Sequence, residues 1–425
     1  MKKRVWIPLL LVLAAAGGFF GWAPGYVEGS MNRIDGKPLP AIRPDVARLH
    51  ATLTIVDLHS DTLMWRRDML DAAKRGHMDL PRLQTGNVAL QIFSSVTKTP
   101  KGQNYDANSA DGDNITPLVI AQLQPVRTWG SLLERSLWHA QKRDDAVAAA
   151  QGKLLPADTV AQLDALLAAR NAPAVRLARS REAAQAGAEL SGVSTSLDPN
   201  GDEKGKAKPV GAMLSIEGLH NLEGQIANLD KLHAAGFRMA GLTHFFDNDL
   251  AGSMHGEAKG GLTPFGRRVV RRMEELGMII DIAHLSPKGV AEVLATARRP
   301  VVSSHGGVQA TCKVNRNLSD EQIRGVAATG GLIAIGYWDG AVCDTSPASI
   351  ARAMKHVRDL VGVQHLALGS DYDGATTVRF GTDGLAQVTQ ALIDIGFTEA
   401  EVRAVMGENA LRVLRAGIVP MAGKP

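Results

Sequence analysis

The sequence predicts an α/β protein, a (β/α)8 barrel of the TIM type that is preceded by an N-terminal membrane segment. Three observations carry this prediction: the composition, eight short apolar runs separated by helical patterns, and one long uncharged stretch at the start of the chain. Of the 425 residues, 45% are apolar and only 4% are aromatic, which is typical of strands and helices packed through small side chains. A barrel with insertions accommodates this length in one fold.

The N-terminal segment begins with Lys2, Lys3 and Arg4, and no charged residue occurs between Val5 and Val27. As a helix this stretch would be about 34 Å long, enough to cross the roughly 30 Å hydrocarbon core of a bilayer. The basic cluster should stay on the cytoplasmic side, which places the rest of the chain across the membrane. We therefore expect export to the periplasmic face of a bacterial-type cytoplasmic membrane.

Two fates of this segment stay open. Ala14 to Ala16 offer the small residues of a leader-cleavage site, and cleavage there would release a periplasmic or secreted protein. Phe19, Phe20 and Trp22 prolong the apolar run, which favours a retained anchor. We expect the anchor, so that the protein contacts the membrane through its N-terminal segment.

The formal charge of +4 does not indicate a nucleic-acid-binding protein. Three of these charges belong to the N-terminal basic cluster, so the remainder of the chain is nearly neutral. Without a basic patch, a phosphate backbone has no electrostatic partner on the protein. We expect a small-molecule substrate and no nucleic acid, and the sequence leaves the oligomeric state open, with a homodimer as one alternative.

Composition and Gly/Pro breaks divide the chain into four parts: a leader or anchor over 1–27, a linker over 28–44, a barrel domain over 45–418 and a loose tail over 419–425. The apolar runs that predict barrel strands are 53–58, 88–93, 210–216, 239–242, 278–282, 301–303, 332–335 and 366–368. Helical patterns follow several runs, at 264–276, 287–297, 320–328 and 346–361. An open parallel sheet would give the same pattern and remains the alternative.

The longest gap between runs, about 97–209, predicts an insertion between the second and third strands that lies over the barrel mouth. It holds a polar loop at 98–114 and helical patterns at 129–151, 157–169 and 174–189. Residues 198–202 resemble the start of a calcium loop, but Glu203 stands where glycine is required and Pro209 where the bidentate glutamate belongs. We interpret this stretch as a solvated loop. Two last helices, at 398–406 and 408–416, should close the barrel.

Reactive groups of such a barrel lie at the carboxyl ends of its strands. Six of the eight runs end in imidazoles or carboxylates: His59, Asp61, Glu217, His244, His284, His305 and Asp371. Other histidines fall outside the strand ends, among them His220, His233, His255, His356 and His365. Any one histidine is as often structural as functional, whereas the convergence of this set on one mouth predicts a shared function. An anion site would collect Lys and Arg instead.

Imidazole and carboxylate ligands suit divalent cations and favour zinc over manganese or cobalt. Two ions a few ångströms apart, bridged by one carboxylate, would activate a water between them as hydroxide near neutral pH. The sequence contains no HExxH, CxxC, GxSxG, GxGxxG or Walker motif, so zincin, serine hydrolase and nucleotide-binding interpretations lose local support. Asp281, three residues before His284, would either orient a ligand or cap a buried backbone group.

Together these motifs resemble the membrane dipeptidase (renal dipeptidase) family of metallo-dependent amidohydrolases. The similarity runs from about Leu53 to about Leu414 and is carried by VDLHSDTL, DLPRLQTGNVALQIFS, SIEGLHN, LTHFFDND, LTPFGRRVVRRMEELGMIIDIAHLS, VVSSHGG, NRNLSDEQIR and LGSDYDG. The long FGRRVV to AHLS block followed by SSH is the most specific part. The insertion departs from the family pattern, and FFDNDLAGSMHG is similar to bacterial members, so side-chain and stereochemical preference do not follow.

The resemblance implies a pair of zinc ions at the mouth, with His59 and Asp61 on one ion, Glu217 bridging, and His284 and His305 on the other. It also implies three roles toward substrate. His244 would contact the carbonyl or stabilise the oxyanion. Arg316 would pair with the free carboxylate, and Asp371 would pass the proton from attacking water to leaving amine.

Cys312 and Cys343 are the two cysteines of the chain. Spacing alone leaves a disulfide and two free buried thiols equally open, although the exported compartment is oxidising. The resemblance implies that they are paired, because secreted members of the family carry a disulfide at these positions.

The activity implied is zinc-dependent hydrolysis of the single peptide bond of a dipeptide, by attack of the metal-bridging hydroxide. One alternative is another reaction of the same metal pair, on a β-lactam, a lactone or an N-acyl amino acid. Another is an anchored binding protein that kept the fold without catalysis. A substrate panel distinguishes dipeptide hydrolysis from the other reactions of the metal pair, and the metal content distinguishes an enzyme from a binding protein without catalysis.

Overall fold

The computed structural model describes residues 3–171 and 208–421. Eight parallel strands close into a barrel, each pairing with its neighbours in chain order. The strands are β1 (Ile55–Ser60), β2 (Val88–Val96), β3 (Val210–Glu217), β4 (Phe237–Gly241), β5 (Ile279–Asp281), β6 (Val302–Ser303), β7 (Leu332–Ile335) and β8 (Leu366–Leu368). Leu368 of β8 lies opposite Asp57 of β1, which closes the circle. The predicted (β/α)8 fold is confirmed, and the open-sheet alternative is wrong.

In the described part of the chain, α-helices lie before, between and after the barrel strands. The α-helices before β3 are Lys3–Ala16, Ala23–Met31, Pro44–Ala51, Leu80–Thr85, Ile115–Ala121, Arg127–Gly130, Leu132–Ala149 and Val160–Asn171. Those after β3 are Ala227–Ala234, Pro264–Leu276, Pro287–Thr296, Asp320–Ala328, Asp339–Val342, Pro347–Val361, Ala386–Asp394, Glu399–Arg403 and Asn409–Gly417. Gly17–Trp22 and Ala404–Glu408 are π-helical, and Thr62–Met64, Leu219–Leu222, Val363–His365 and Thr382–Gly384 are short 3-10 turns.

The starts of the outer helices are encoded locally. Thr263, Ser286 and Ser346 each precede a proline at the first helical position, and each hydroxyl accepts the backbone N–H three residues further on. Proline has no N–H to leave unpaired there, and its fixed φ suits the helix. Ser319 forms a capping box with Gln322. These caps fix the length of the loops that leave the strand ends, and those loops carry the site.

The last helix, Asn409–Gly417, packs against the barrel strands, as predicted for a closing element. Its Leu411 and Leu414 join residues such as Met213 and Ile279 in one buried cluster. A methyl group added at Gly417 would lie 2.4 Å from the Ile279 side chain, so glycine permits this close approach. Burial of this apolar layer leaves the carboxyl ends of the strands as the open end of the barrel.

The first described part of the insertion between β2 and β3 lies at the mouth of the barrel, and a later described part adds a short strand beside β3. Leu154–Pro156 pairs with the start of β3, where Leu154 lies opposite Val210. The helix predicted at 129–151 is two helices, because the Ser131 hydroxyl accepts the Glu134 N–H and caps a new one. The helix predicted at 174–189 and the loop at 198–202 lie outside the described residues.

The N-terminal helices Lys3–Ala16, Gly17–Trp22 and Ala23–Met31 follow one another without a break. Residues 7–31 are long and apolar enough to cross a membrane, and only 6% of their apolar 18-residue window is buried. By length and composition this helix is a candidate span, and a leader peptide near the N-terminus would pass the same test.

Residues 28–44, predicted as a linker, begin as part of this helix and are attached to the barrel domain. Glu28 is buried, and its two carboxylate oxygens each lie 2.6 Å from an arginine Nε, of Arg67 and of Arg75. Arg33–Ile34 then pairs in parallel with Thr377–Val378. A linker pattern in sequence reports Gly and Pro content, whereas these contacts depend on residues far along the chain.

The predicted disulfide is present, with Cys312 bonded to Cys343 and their Cα atoms 5.3 Å apart. It joins the loop after β6 to the end of the short helix Asp339–Val342, which follows β7. The amide of Asn317 crosses the same gap, donating to the Cys312 carbonyl at 2.8 Å and to the Ala341 carbonyl at 2.9 Å. Two neighbouring mouth loops are therefore tied together.

Candidate metal centre

Glu217, the last residue of β3, lies at the centre of the barrel mouth and is buried. Its Oε1 is 2.8 Å from Nε2 of His284, 3.2 Å from Nε2 of His305 and 3.5 Å from Nε2 of His244. Its Oε2 is 3.6 Å from Nε2 of His59. Four imidazoles from four different strand ends therefore meet on the two oxygens of one carboxylate.

Two further carboxylates, those of Asp61 and Asp371, face the imidazole of His59. Nε2 of His59 lies 3.4 Å from Oδ2 of Asp61 and 3.9 Å from Oδ1 of Asp371. The strand ends at Ser60, so Asp61 begins the following turn instead of sharing a strand face with His59. The pair converges nonetheless, because the turn brings the carboxylate back over the strand end.

The supporting layer below the cluster is built from Asp57, Asp281 and Ser304. Asp57 accepts the backbone N–H of His59 at 3.0 Å. Asp281 accepts the N–H of Ser304 at 3.0 Å and also its hydroxyl, and that hydroxyl lies 2.9 Å from Nδ1 of His305. Asp281 thus fulfils both alternatives predicted for it: it caps buried backbone, and through Ser304 it orients an imidazole.

Backbone geometry at two of these residues is unusual for non-glycine residues. His284 has a φ of 63° and Asp371 a φ of 59°, both in the left-handed region. Such conformations cost on the order of 1–3 kcal/mol and persist where the surrounding structure holds them. Gly374 is needed beside Asp371, because an added Cβ would lie 2.1 Å from Asp371 Oδ1 and 2.7 Å from Asp61 Oδ2.

Electrostatics separate the outer carboxylate of Asp371 from the central carboxylate of Glu217. Burial raises the pKa of Glu217, but the charges of His244 and His59 and the hydrogen bonds from His284 and His305 outweigh it, so the pKa lies well below its ordinary value. Burial also raises the pKa of Asp371; His59 opposes this, Asp61 and Glu217 reinforce it, and the pKa lies well above its ordinary value. The lowered pKa favours the ionised form of Glu217 at the centre of the cluster.

Lowered pKa values favour the neutral form of His284 and His305. Burial, followed by the charge of Arg316, lowers the pKa of His284 well below its ordinary value. Burial, followed by the charges of His59 and Arg316, does the same to the pKa of His305. A neutral imidazole is the form that binds a metal ion, so this side is ready to act as ligand.

The cluster fits a divalent cation. Three sets of ligand atoms each lie within 4.8 Å of one another: His59, Asp281 and His305; Glu217, His244 and His284; and His59, Asp61 and Glu217. Nε2 of His59 and Oδ1 of Asp61 are buried and have no hydrogen-bond partner within the described residues. Buried polar atoms without partners are costly, and a bound cation would satisfy both.

Above the cluster lies a cavity of about 770 Å³. Its floor includes Asp61, Glu217, His244, His284, Arg316 and Asp371. The guanidinium of Arg316 is 2% exposed, donates to the His305 carbonyl at 3.0 Å, and lies 5.6 Å from the centre of the Trp338 ring. A buried cation beside the cluster gives the cavity one site suited to a carboxylate.

The outer wall of the cavity comes from three separate parts of the chain. The N-terminal helix contributes Val27 and Met31, and the insertion contributes Tyr105 and Leu118. The Tyr105 hydroxyl accepts the Trp338 indole N–H at 3.0 Å, which links the insertion to the loop after β7. This wall surrounds the cluster without touching Glu217.

Residues 43–418 match the membrane dipeptidase family, peptidase family M19. This match spans most of the described barrel and includes every residue of the cluster. The chain belongs to the membrane dipeptidase family. The resemblance identified from the sequence motifs is therefore confirmed.

Relatives of this family member agree with the assignment. Dipeptidase aclJ of Aspergillus oryzae is 34% identical over 218 residues, which are 48% of this chain and 51% of that protein. The match thus spans about half the length of this curated relative. The helix Ala23–Met31 lies before residue 43, outside the part of the chain that matches the family.

Two solved structures share the fold at lower identity. The probable dipeptidase PvdM of Pseudomonas aeruginosa superposes with a TM-score of 0.65 and 18% identity, covering 88% of this chain and 98% of that one. A metallo peptidase of Rhodobacter sphaeroides, solved with a phosphinate mimic of the dipeptide L-Ala-D-Ala, gives a TM-score of 0.63 and 20% identity. It covers 86% of this chain and 99% of that one.

The structure brings all the residues singled out in the sequence to one place, and adds residues that the sequence did not indicate. His255, which the sequence placed outside the strand ends, lies beside the mouth: its ring centre is 5.3 Å from that of His284. Ser304 sits inside the SSH motif, so its position next to a ligand was a usable signal. Tyr105 and Val27 gave no such signal, because only the tertiary structure brings them to the cavity.

Proposed function

We propose that this member of the membrane dipeptidase family is a zinc-dependent dipeptidase that is anchored to a membrane by its N-terminal helix. The observation that carries the proposal is the meeting of four imidazoles on Glu217, with Arg316 buried in the floor of the same cavity. The first provides a site for divalent cations, and the second a site for a free carboxylate.

For the metal site, we assign His59 and Asp61 to one zinc ion, His284 and His305 to a second, and Glu217 to both. Two such ions would polarise a carbonyl and lower the pKa of a water molecule. Glu217 suits the shared position, because each of its oxygens faces a different pair of ligands. The opposing directions of the Asp371 and Glu217 pKa values set these two carboxylates apart in role.

Three residues act on the substrate in this proposal. Arg316 binds the free carboxylate and thereby fixes the distance from the chain end to the peptide bond. His244, whose Nε2 lies 3.5 Å from Glu217 Oε1, lines the cavity and donates toward the carbonyl oxygen as negative charge develops there. Asp371, on the cavity floor 3.9 Å from His59, receives a proton and returns it to the leaving amine.

The test is metal content by elemental analysis of the purified full-length protein, together with a dipeptide hydrolysis screen before and after chelation. We expect about two zinc ions per chain and activity that is lost on chelation and restored by zinc. The screen should include dipeptides with a D-residue, because the Rhodobacter sphaeroides neighbour holds a mimic of L-Ala-D-Ala. Hydrolysis of β-lactams or N-acyl amino acids without dipeptides would overturn the substrate class, and metal-free protein would overturn catalysis.

The role of Arg316 has a test of its own. Arg316→Ala should raise KM for dipeptides by about 100-fold, since a charge-assisted bidentate pair contributes up to ~3 kcal/mol. Dipeptide amides, which lack the free carboxylate, should show little change. An equal effect on both substrates would remove Arg316 from carboxylate binding. Arg415→Ala, which breaks an exposed pair with Asp164, is the matched control.

A further inference from the structure

A loop in the insertion exposes large apolar side chains to an unusual degree. Leu123 is 59% exposed, Val126 72% and Trp129 38%, all within seven residues. We call residues 122–130 the apolar loop. It contains no acidic residue, and its one charged residue is Arg127. Single exposed apolar residues are ordinary, but three in one loop form a patch that marks a contact surface.

The conformation of the apolar loop presents these side chains outward. Leu123 has a φ of 56°, a left-handed conformation that is rare for a bulky residue. The indole N–H of Trp129 donates to the Gln124 carbonyl within the loop at 3.0 Å. The ring therefore offers an apolar face, with its polar atom already satisfied.

The position of the loop beside the N-terminal helix identifies its partner. The helix Ile115–Ala121 lies against both Gly17–Trp22 and Ala23–Met31. Its first part lines the cavity with Ile115 and Leu118, beside Val27 and Met31. The apolar loop follows directly at the end of this helix.

An exposed aromatic pair marks the level at which the N-terminal helix leaves the bilayer. Trp22 and Tyr26 stack with ring centres 4.5 Å apart and are 64% and 58% exposed. Tryptophan and tyrosine concentrate at the membrane–water interface, because their rings are apolar and their edges polar. The helix Ile115–Ala121, which leads into the apolar loop, contacts Gly17–Trp22, the segment that ends at this aromatic pair.

We propose that the apolar loop inserts into the outer leaflet beside the N-terminal anchor, which rests on the membrane attachment proposed above. The helix and the loop then hold the barrel at two points. Val27 lies one residue beyond Tyr26, and Met31 five residues, about 7.5 Å along the helix axis. The cavity wall formed by Val27 and Met31 is thus just above the lipid surface, and the mouth of the active site opens beside the bilayer.

This arrangement also favours a class of substrate. A mouth beside the membrane receives dipeptide units that are produced at, or tethered to, the membrane surface at a higher local concentration than dipeptides from bulk solution.

Site-directed fluorescence tests the proposal on the full-length protein. The native cysteines are bonded to each other, so one introduced cysteine is the only reactive thiol among the described residues. Leu123→Cys and Val126→Cys would each carry an environment-sensitive fluorophore, in lipid nanodiscs containing a phospholipid spin-labelled near the headgroup. Val419→Cys is the matched control, with 46% exposure at the end of the last helix. Val12→Cys reports on the anchor itself, and it is measured in parallel nanodiscs whose phospholipid is spin-labelled in the acyl chain, at the depth of this residue.

We expect the spin-labelled lipid to quench most of the fluorescence at positions 123 and 126, and little at 419. Quenching at 12 with none at 123 or 126 would overturn the apolar loop as a lipid contact and leave the anchor intact. No quenching at 12 would overturn the anchor, and with it this proposal. Dipeptide hydrolysis by the labelled proteins is measured in parallel, so loss of the proposed activity is scored separately.

Discussion

The cluster of candidate metal ligands and the outer wall of the cavity are built in opposite ways. Every residue of the cluster lies on or just after a buried barrel strand, and each is nearly inaccessible to solvent. The wall combines Val27 and Met31 of the N-terminal helix with Tyr105 and Leu118 of the insertion. These two segments are more than 70 residues apart in the chain, and Trp338 of the loop after β7 adds a third part of the wall. Met31 is 44% exposed.

This difference indicates which part of the enzyme determines bond cleavage and which part determines the choice of substrate side chain. Strand ends hold charged groups within a few tenths of an ångström of their required positions, and bond cleavage needs this precision. The wall can change its shape without moving the strands, so it is suited to determine which side chains enter the cavity. Substitutions in the cluster should therefore affect kcat, and substitutions in the wall should affect KM or stability.

The largest effect is expected in the cluster. Asp371→Asn removes the carboxylate that we propose to transfer the proton, and kcat should fall about 10³-fold, within the usual range for general acid–base catalysis. Zinc content should not change, because Asp371 is not one of the proposed ligands. Asp339→Asn is the control, since this exposed carboxylate lines the same cavity. Steady-state kinetics with metal analysis decide, and unchanged turnover would remove Asp371 from the mechanism.

The next effect concerns the attachment of the wall. Glu28→Gln leaves the guanidinium of Arg67, which is 3% exposed, without its carboxylate at 2.6 Å. Breaking a buried pair of this kind should lower the free energy of unfolding by about 3 kcal/mol. Arg67 also contacts Asp373, two residues from Asp371, so KM should rise as well.

Urea unfolding in detergent measures this change. Glu275→Gln is the matched control, because Glu275 is 58% exposed and pairs with Arg272 at 3.0 Å on the surface. Its loss should cost less than about 0.5 kcal/mol. Equal stability of the two variants would mean that the N-terminal helix is not attached to the barrel through Glu28.

A smaller effect distinguishes histidines that serve structure from those that serve the cluster. Burial, followed by the charges of Lys142 and Arg135, lowers the pKa of His139 to about 3, and its Nδ1 lies 2.8 Å from the Ser95 hydroxyl. The unfolded chain takes up a proton below about pH 6.5, whereas folded His139 does not until about pH 3. Stability is therefore full above pH 6.5 and falls as the pH decreases.

From pH 7 to pH 5 this group should contribute a loss of about 2 kcal/mol. His139→Gln should reduce the decline in unfolding free energy over that interval by this amount, whatever it costs at pH 7. Chemical unfolding of both proteins at the two pH values gives the comparison. Parallel stability curves would show that His139 does not stay neutral in the folded state.

The smallest effect is expected in the wall. Met31→Trp narrows the cavity and should raise KM about fivefold for dipeptides with large side chains, equivalent to about 1 kcal/mol. Glycylglycine should be unaffected, and kcat should not change for either substrate. Leu39→Trp, at another exposed apolar residue of the same N-terminal region, is the control. An equal change in KM for all substrates would mean that Met31 does not select among substrate side chains.

The same division explains what the sequence predicted and what it did not. The barrel and the convergence of His59, Glu217 and His305 follow from local patterns, because an apolar run fixes a strand and its last residue fixes a position at the mouth. Ser304 was within reach of the same logic, since it precedes a ligand in SSH. Val27 and Glu28 were not, because a helix that reads as an anchor carries no signal of what its end contacts.

The cross-link between Cys312 and Cys343 has a practical consequence for anyone producing this protein. It joins the loop that carries Arg316 to the loop that follows Trp338, while the metal cluster lies on strands that need no such support. Expression in a reducing cytosol would leave those two loops held chiefly by the hydrogen bonds of Asn317. We expect such a preparation to bind metal normally and yet to have a raised KM, so metal content alone is an inadequate measure of its quality.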